Sequence, residues 1–194
     1  MNYLAHAYLS FNRPEILVGN LVSDFVKGRK KFDYAPGIQE GITLHRQIDH
    51  FTDTHQATHD AKEIFRPYYR LYAGAFTDVV YDHFLAIDKN EFSVESLHRF
   101  SLNVYDTVAP FIPLLPARFQ EMFPYMRQQN WLNNYQHNWA IGRSMEGVVR
   151  RSAYLTDSAT AFQLFEKHYE HLQVCYNRFF PELKKFVLEQ LPIL

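Results

Sequence analysis

The sequence predicts an all-α, single-domain helical bundle, and three observations predict it. Apolar residues recur three and four positions apart rather than in alternation. Glycine is scarce, at seven of 194 residues, and no Asn-Gly or Asp-Gly pair marks a hairpin turn. Hydrophobic residues make up 47% of the chain, enough to build a core for one helical domain over residues 1–194.

The elements follow in order. A first helix is expected over Asn2 to Ser10. A second starts at Pro14, a favoured first-turn residue, behind a cap at Asn12, and runs to Lys27, where Gly28 stops it. A third spans Pro36 to Phe65 and is broken by Pro67; a fourth then runs to Ile87. Ser93 caps a fifth helix that ends near Val108. Pro110, Pro113 and Pro116 punctuate the chain, and helices over Ala117–Gln128 and Trp131–Tyr154 follow. Asp157 or Ser158 opens a last long helix, with Pro181 as a kink or break.

Composition narrows the function classes. A formal net charge of -1 excludes a generally basic nucleic-acid binder. The lone cysteine, Cys175, excludes an intrachain disulfide framework or a Cys-rich zinc site. No run approaches the roughly 18 apolar residues of a membrane span, and no basic stretch followed by an apolar run opens the chain. The expectation is a cytoplasmic protein with no membrane and no nucleic-acid partner. Ten histidines direct attention to metal spacing.

The chemistry is concentrated in the first ninety residues, where polar side chains fall on apolar helical faces. At about 100° per residue, Leu71, Ala75, Asp78, Asp82 and Leu85 share one stripe of a helix that is apolar nearly all round. Two carboxylates four residues apart on a buried face repel and are costly to bury unpaired. A metal ion, an arginine or a histidine would resolve both problems. His45 and Asp49 stand at i and i+4, where two side chains converge on one point, with Arg46 beside them. Asp24 lies on the stripe of Leu17 and Leu21 with Asn20 close by, and His6 sits among Leu4, Ala5 and Leu9. Taken singly, each has a structural reading: a hydrogen-bonded core histidine, an acid paired with arginine, a local helix pair. Together they favour one shared site. His50, His55, His59, His83, His98, His137, His168 and His171 are assigned to the surface or to positions behind the ligands.

A His/Asp donor set without thiolate suits Mn²⁺, Mg²⁺, Fe²⁺ or Zn²⁺. Such an ion can activate water at neutral pH and stabilise charge on a phosphoryl oxygen, so phosphoester hydrolysis is the natural reaction class. Arg46 could then hold a non-bridging phosphate oxygen.

Four blocks resemble, in the same order, the acyl-carrier-protein phosphodiesterase family, an all-helical offshoot of the HD phosphohydrolase superfamily. They are Met1 to His6, Gly19 to Gly28, His45 to Asp53 and Tyr81 to Ala86, covering about the first half of the chain. The resemblance implies an HD-phosphohydrolase-like bundle that hydrolyses the phosphodiester between phosphopantetheine and a serine of holo-acyl carrier protein. It also implies Mn²⁺, with Mg²⁺ or Fe²⁺ as alternatives. One feature departs from the superfamily: Asp49-His50 and Asp82-His83 reverse its adjacent His-Asp pair. The candidate ligands therefore come from helical phase and from the matching blocks. They are His6, Asp24, His45, Asp49, Asp78 and Asp82, with Asp24, His45, Arg46 and Asp49 as catalytic candidates. Carrier proteins are acidic, so the basic run Lys27, Arg29, Lys30 and Lys31 beside Asp24 is the candidate partner surface, with Arg150 and Arg151 as a weaker second patch. Two other readings share these residues: a phosphohydrolase acting on a nucleotide or other small phosphate ester, and a non-catalytic helical binding module.

Overall fold

Eleven α-helices joined by short 3₁₀ turns carry residues 1–191, the part described by a computed structural model, and no strand occurs among the described residues. The all-α expectation holds. No helix among the described residues is long and apolar enough to cross a membrane.

The first three helices build the site. Helix α1 (Tyr3–Tyr8) is short, and its exposed amide ends are satisfied from outside. Asp82 accepts from the backbone N–H groups of Asn2, Leu4 and Ala5 at 3.3, 2.7 and 3.2 Å. Helix α2 (Pro14–Val22) stops earlier than expected. A 3₁₀ turn over Ser23–Phe25 carries Asp24, and Gly28 at φ +58° turns the chain into a second 3₁₀ stretch, Gly28–Asp33. Helix α3 is Pro36–Thr54.

Helices α2 and α3 cross with their backbones in contact. A Cβ on Gly19 would come within 2.1 Å of the Ile38 carbonyl oxygen, and one on Gly41 within 2.2 Å of that of Ile16. This approach brings α3 close enough for His45 Nδ1 to reach the Asn20 carbonyl at 2.7 Å.

Helix α4 (Gln56–Tyr69) follows α3 after a break at His55, and α5 (Ala73–Ile87) forms the centre of the bundle. As its pattern predicts, α5 is buried nearly all round through Phe76, Val79, Val80, Tyr81, Phe84 and Leu85. It packs against α1, α4, α9 (Asn138–Arg151) and α11 (Tyr169–Gln190). Aromatic rings fill the α5–α11 seam, including Tyr81 stacked on Phe179 with centroids 5.0 Å apart. Helices α6 (Val94–Val108), α7 (Ala117–Gln128), α8 (Trp131–Asn134) and α10 (Ala159–Lys167) complete the fold. Ser93 caps α6 as expected, in a reciprocal capping box with Ser96.

Three further boundaries differ from expectation. The expected third helix is interrupted at His55, where the side chain accepts from the Ala57 N–H and caps a new helix, and the break expected at Pro67 comes at Arg70–Tyr72. Pro67 lies on the exposed side of the last turn of α4, where its ring removes one peripheral hydrogen bond, and the helix continues to Tyr69. The expected Trp131–Tyr154 helix is two, α8 and α9, separated at Tyr135–His137, and the expected last helix is likewise α10 and α11.

Candidate active site

Two helices bring two imidazoles and a carboxylate to one point. His6 on α1 and His45 on α3 stack with centroids 3.9 Å apart and 14° between planes. Asp49, one turn after His45, reaches both rings: its Oδ2 lies 3.0 Å from His45 Nε2 and its Oδ1 lies 3.3 Å from His6 Nε2. These three side chains could hold a metal ion, since each offers a ligand atom within 4.8 Å of the others.

Asn20 fixes both rings. Its Nδ2 donates to the His6 carbonyl at 2.8 Å and to Ser10 Oγ at 3.1 Å, so its Oδ1 is left to accept from His6 Nδ1 at 2.7 Å. Its backbone carbonyl accepts from His45 Nδ1. Both Nδ1 atoms therefore carry the proton, and both Nε2 atoms point at the carboxylates.

Two lone pairs facing carboxylate oxygens repel unless something positive lies between them. For His45 a proton can serve. Burial works against that charge, but hydrogen bonds to Asp24 and Asp49 outweigh it and raise the pKa to about 9. For His6 a proton does not serve: burial, and then the charge on His45, push its pKa down to about 4. Its Nε2 is thus a buried acceptor with no hydrogen-bond partner. An orphaned imidazole nitrogen beside a second imidazole and a carboxylate is the donor set a divalent transition metal takes.

The other expected residues stand around this cluster. Asp24 Oδ1 is 3.2 Å from His45 Nε2 with its side chain 73% exposed, so it lies at the mouth; the His45 hydrogen bond holds its carboxyl below the usual range. Asp78 and Asp82 share one face of α5, and the partners the structure shows beside them come from the start of the chain. The Met1 ammonium lies 3.0 Å from Asp78 Oδ1 and 3.8 Å from Asp49 Oδ1, while Asp82 is occupied by the first turn of α1. Burial raises the Asp82 carboxyl to about 7, against the backbone donors that favour its charge. Arg46 Nη2 donates to the Val26 carbonyl at 3.3 Å, tying α3 to the segment after Asp24. Lys27, Arg29 and Lys30 are exposed on that segment, and Lys31 sits over the Phe32 ring at 5.0 Å.

His83, assigned to the surface or to a position behind the ligands, is instead a core residue outside the cluster. Its Nδ1 meets the Tyr135 carbonyl at 2.8 Å and its Nε2 the Tyr169 hydroxyl at 2.9 Å. Asn20 is the residue whose role the sequence reading missed. The signal was present: an amide on the stripe of Leu17 and Leu21.

A sequence profile of the family described as acyl carrier protein phosphodiesterase matches residues 1–183. The chain belongs to this family. Its relatives carry the same description. One from Yersinia enterocolitica (serotype O:8 / biotype 1B) is 34% identical over 184 residues, 94% of this chain and 95% of that protein. One from Photorhabdus laumondii is 32% identical over 182 residues, covering 93% of this chain and 92% of its own. One from Klebsiella pneumoniae (strain 342) is 34% identical over 186 residues, 95% of this chain and 96% of that protein. No solved structure matches the chain. Membership in the acyl carrier protein phosphodiesterase family places the chain among hydrolases, and the match extends through α7, α9 and α10 and into α11, well beyond the four blocks of the first half.

Proposed function

We propose that the chain hydrolyses the phosphodiester joining phosphopantetheine to a serine of holo-acyl carrier protein, releasing apo-carrier and 4'-phosphopantetheine. The reaction takes place at a divalent metal site built on His6, His45 and Asp49. The observation that carries the metal site is the orphaned His6 Nε2, held beside His45 Nε2 and Asp49 by Asn20. The description shared by the family and its relatives supports the substrate. Nitrogen and oxygen donors without thiolate suit Mn²⁺, Mg²⁺, Fe²⁺ or Zn²⁺, and the family resemblance implies Mn²⁺ among them. When bound, the ion supplies Lewis acidity and makes water acidic enough to react at neutral pH.

The chain's own groups do the rest. Asn20 holds the imidazoles in one tautomer, so their Nε2 lone pairs stay directed into the site. Asp24 faces the side from which substrate arrives; ionised at neutral pH, it accepts the proton of the attacking water as oxygen bonds to phosphorus and the bond to the serine Oγ breaks. The serine oxygen leaves with the proton that Asp24 took from the water, which returns the carboxylate to its starting state. Lys27, Arg29, Lys30 and Lys31 follow Asp24 directly and steer an acidic carrier to the cleft.

The test is the mass of a holo-acyl carrier protein incubated with the enzyme, with Mn²⁺ or with chelator, for wild type and Asp24→Ala. Loss of the phosphopantetheine mass only with metal and intact Asp24 is the expected result. Asp24→Ala should fold normally, because the side chain is exposed, and lose at least about 100-fold in rate. An unchanged carrier mass with folded, metal-loaded enzyme would contradict the reading and favour a small phosphate ester as substrate.

A further inference from the structure

After Asp24 the backbone leaves the core. Val26 is buried, but Lys27 to Asp33 are exposed apart from Lys31, which is half-buried. The stretch is nevertheless fastened at both ends, and to the same helix. Arg46 Nη2 donates to the Val26 carbonyl at 3.3 Å before it, and Gln39 Nε2 donates to the Tyr34 carbonyl at 2.7 Å after it. Both donors stand on α3, which also carries His45 and Asp49. On the side of the site, Phe25, next to Asp24, packs edge-on against Phe119 of α7 with centroids 5.5 Å apart. The side chains of Gly28–Asp33 are thus presented from a segment held in register with the cluster.

Gly28–Asp33 is a 3₁₀ helix, in which side chains three apart eclipse. Arg29 and Phe32 therefore share one edge. Both are exposed, Phe32 at 60%, and the Lys31 ammonium lies 5.0 Å from the centre of the Phe32 ring. Lys27, Arg29 and Lys30 form no ion pair among the described residues. A single exposed aromatic is ordinary on a protein surface. This one stands in a run of four cations, on a segment clamped to the helix of the site and following the carboxylate at its mouth. Aromatic and arginine side chains carry most of the affinity at protein interfaces, whereas peripheral charges chiefly set the rate of encounter.

We infer that Arg29 and Phe32 form a docking edge for the carrier protein, with Phe32 as its apolar anchor and Arg29 pairing with a carboxylate beside the seated ring. The charge of the run selects an acidic surface, and the exposed ring requires an apolar spot on that surface. The inference rests on the phosphodiesterase reading and deepens it: the cations bring the partner to the mouth of the site, and Phe32 holds it there.

The probe is apo-acyl carrier protein, the product of the proposed reaction, which has no phosphodiester and is not consumed. Its binding to the Mn²⁺-loaded enzyme is measured by calorimetry at low and at high salt, for wild type, Phe32→Ala, Phe32→Trp and Arg29→Gln. Mn²⁺ affinity, binding to phosphatidylcholine vesicles containing phosphatidylglycerol, and the mass of holo-carrier are followed for the same proteins. Phe32→Ala should weaken carrier binding by about tenfold or more at both salt concentrations, as expected for a lost aromatic anchor, and Phe32→Trp should retain it. Arg29→Gln should weaken binding at low salt and much less at high salt, where the charge is screened. Mn²⁺ affinity should match wild type in all three variants, because both side chains are exposed. Wild type that binds no apo-carrier, or Phe32→Ala that binds it equally well, overturns the inference. A Phe32→Ala loss that vanishes at high salt also overturns it and leaves the ring only a support for Lys31. Loss of vesicle binding in Phe32→Ala with carrier binding intact overturns it in favour of an anionic lipid surface. Carrier docking through Phe32 by an enzyme that leaves holo-carrier intact keeps the edge and removes the phosphodiesterase reading.

Discussion

Asn20 makes four hydrogen bonds, three of them to His6 and His45. Asn20→Ala removes the acceptor for His6 Nδ1 and the donor to Ser10 Oγ, and leaves the His6 carbonyl with the Ser10 hydroxyl as its side-chain donor. The expected cost is about 2–4 kcal/mol of stability from the orphaned groups, with a roughly 10–100-fold loss of metal affinity as His6 loses its fixed tautomer. Urea unfolding and Mn²⁺ titration of the variant check the two effects separately. His45 sets the pH dependence. Its folded pKa is raised to about 9, so the metal-free site holds a proton at pH 7 that an entering ion must displace. Mn²⁺ affinity should rise about tenfold per pH unit between roughly 6.5 and 9 and level off above. Calorimetry in buffers of different ionisation enthalpy should find about one proton released per ion at pH 7. In the metal-free protein the same proton stabilises the fold below the unfolded pKa of about 6.5, and that stability is lost as pH rises through about 9. Helical phase and the matching family blocks together brought His6, His45 and Asp49 into one set of six candidates. They could not show that Asp78 and Asp82 are occupied by the Met1 ammonium and the first turn of α1, because those partners come from a distant part of the chain.

At the scale of elements, the α2–α3 crossing decides whether the site assembles. Gly→Ala inside a helix ordinarily gains up to about 1 kcal/mol. At Gly19 and Gly41 the new Cβ would meet backbone oxygens at 2.1 and 2.2 Å, which cannot swing aside as a side chain would. Overpacking should win: Gly19→Ala or Gly41→Ala is expected to cost about 3 kcal/mol or more. The urea midpoint should fall at unchanged slope, with Mn²⁺ binding lost alongside as His45 is pushed from Asn20. A neutral or stabilising Gly41→Ala would contradict the close crossing. The helical content was readable because period and scarce glycine agree. The break at His55 was not, because histidine is an uncommon cap and works here through a specific ring–amide bond. Asp24 was placed on the right surface but the wrong element: α2 tightens into a 3₁₀ turn at Ser23, which moves the carboxylate from the apolar stripe to the mouth of the site.

Across the whole molecule, the first half of the chain supplies the proposed metal ligands, and from the second half α7 reaches Tyr3 through Met122. Only the first half was legible as a site, since its histidines and aspartates fall at helical spacing on apolar faces. Metal binding should stabilise the folded state by mass action, about 2.7 kcal/mol at an ion concentration 100 times the dissociation constant. For a chain of this size that is a rise of roughly 5–10 °C in Tm. The most direct test is titration of the metal-stripped protein with Mn²⁺, followed by calorimetry and thermal unfolding, for wild type, His6→Gln, His45→Gln and Asp49→Asn. The account predicts one ion per wild-type chain and a raised Tm, with both lost in each variant although all three still fold. No binding to the wild type, or binding that survives in His6→Gln and His45→Gln, would contradict it.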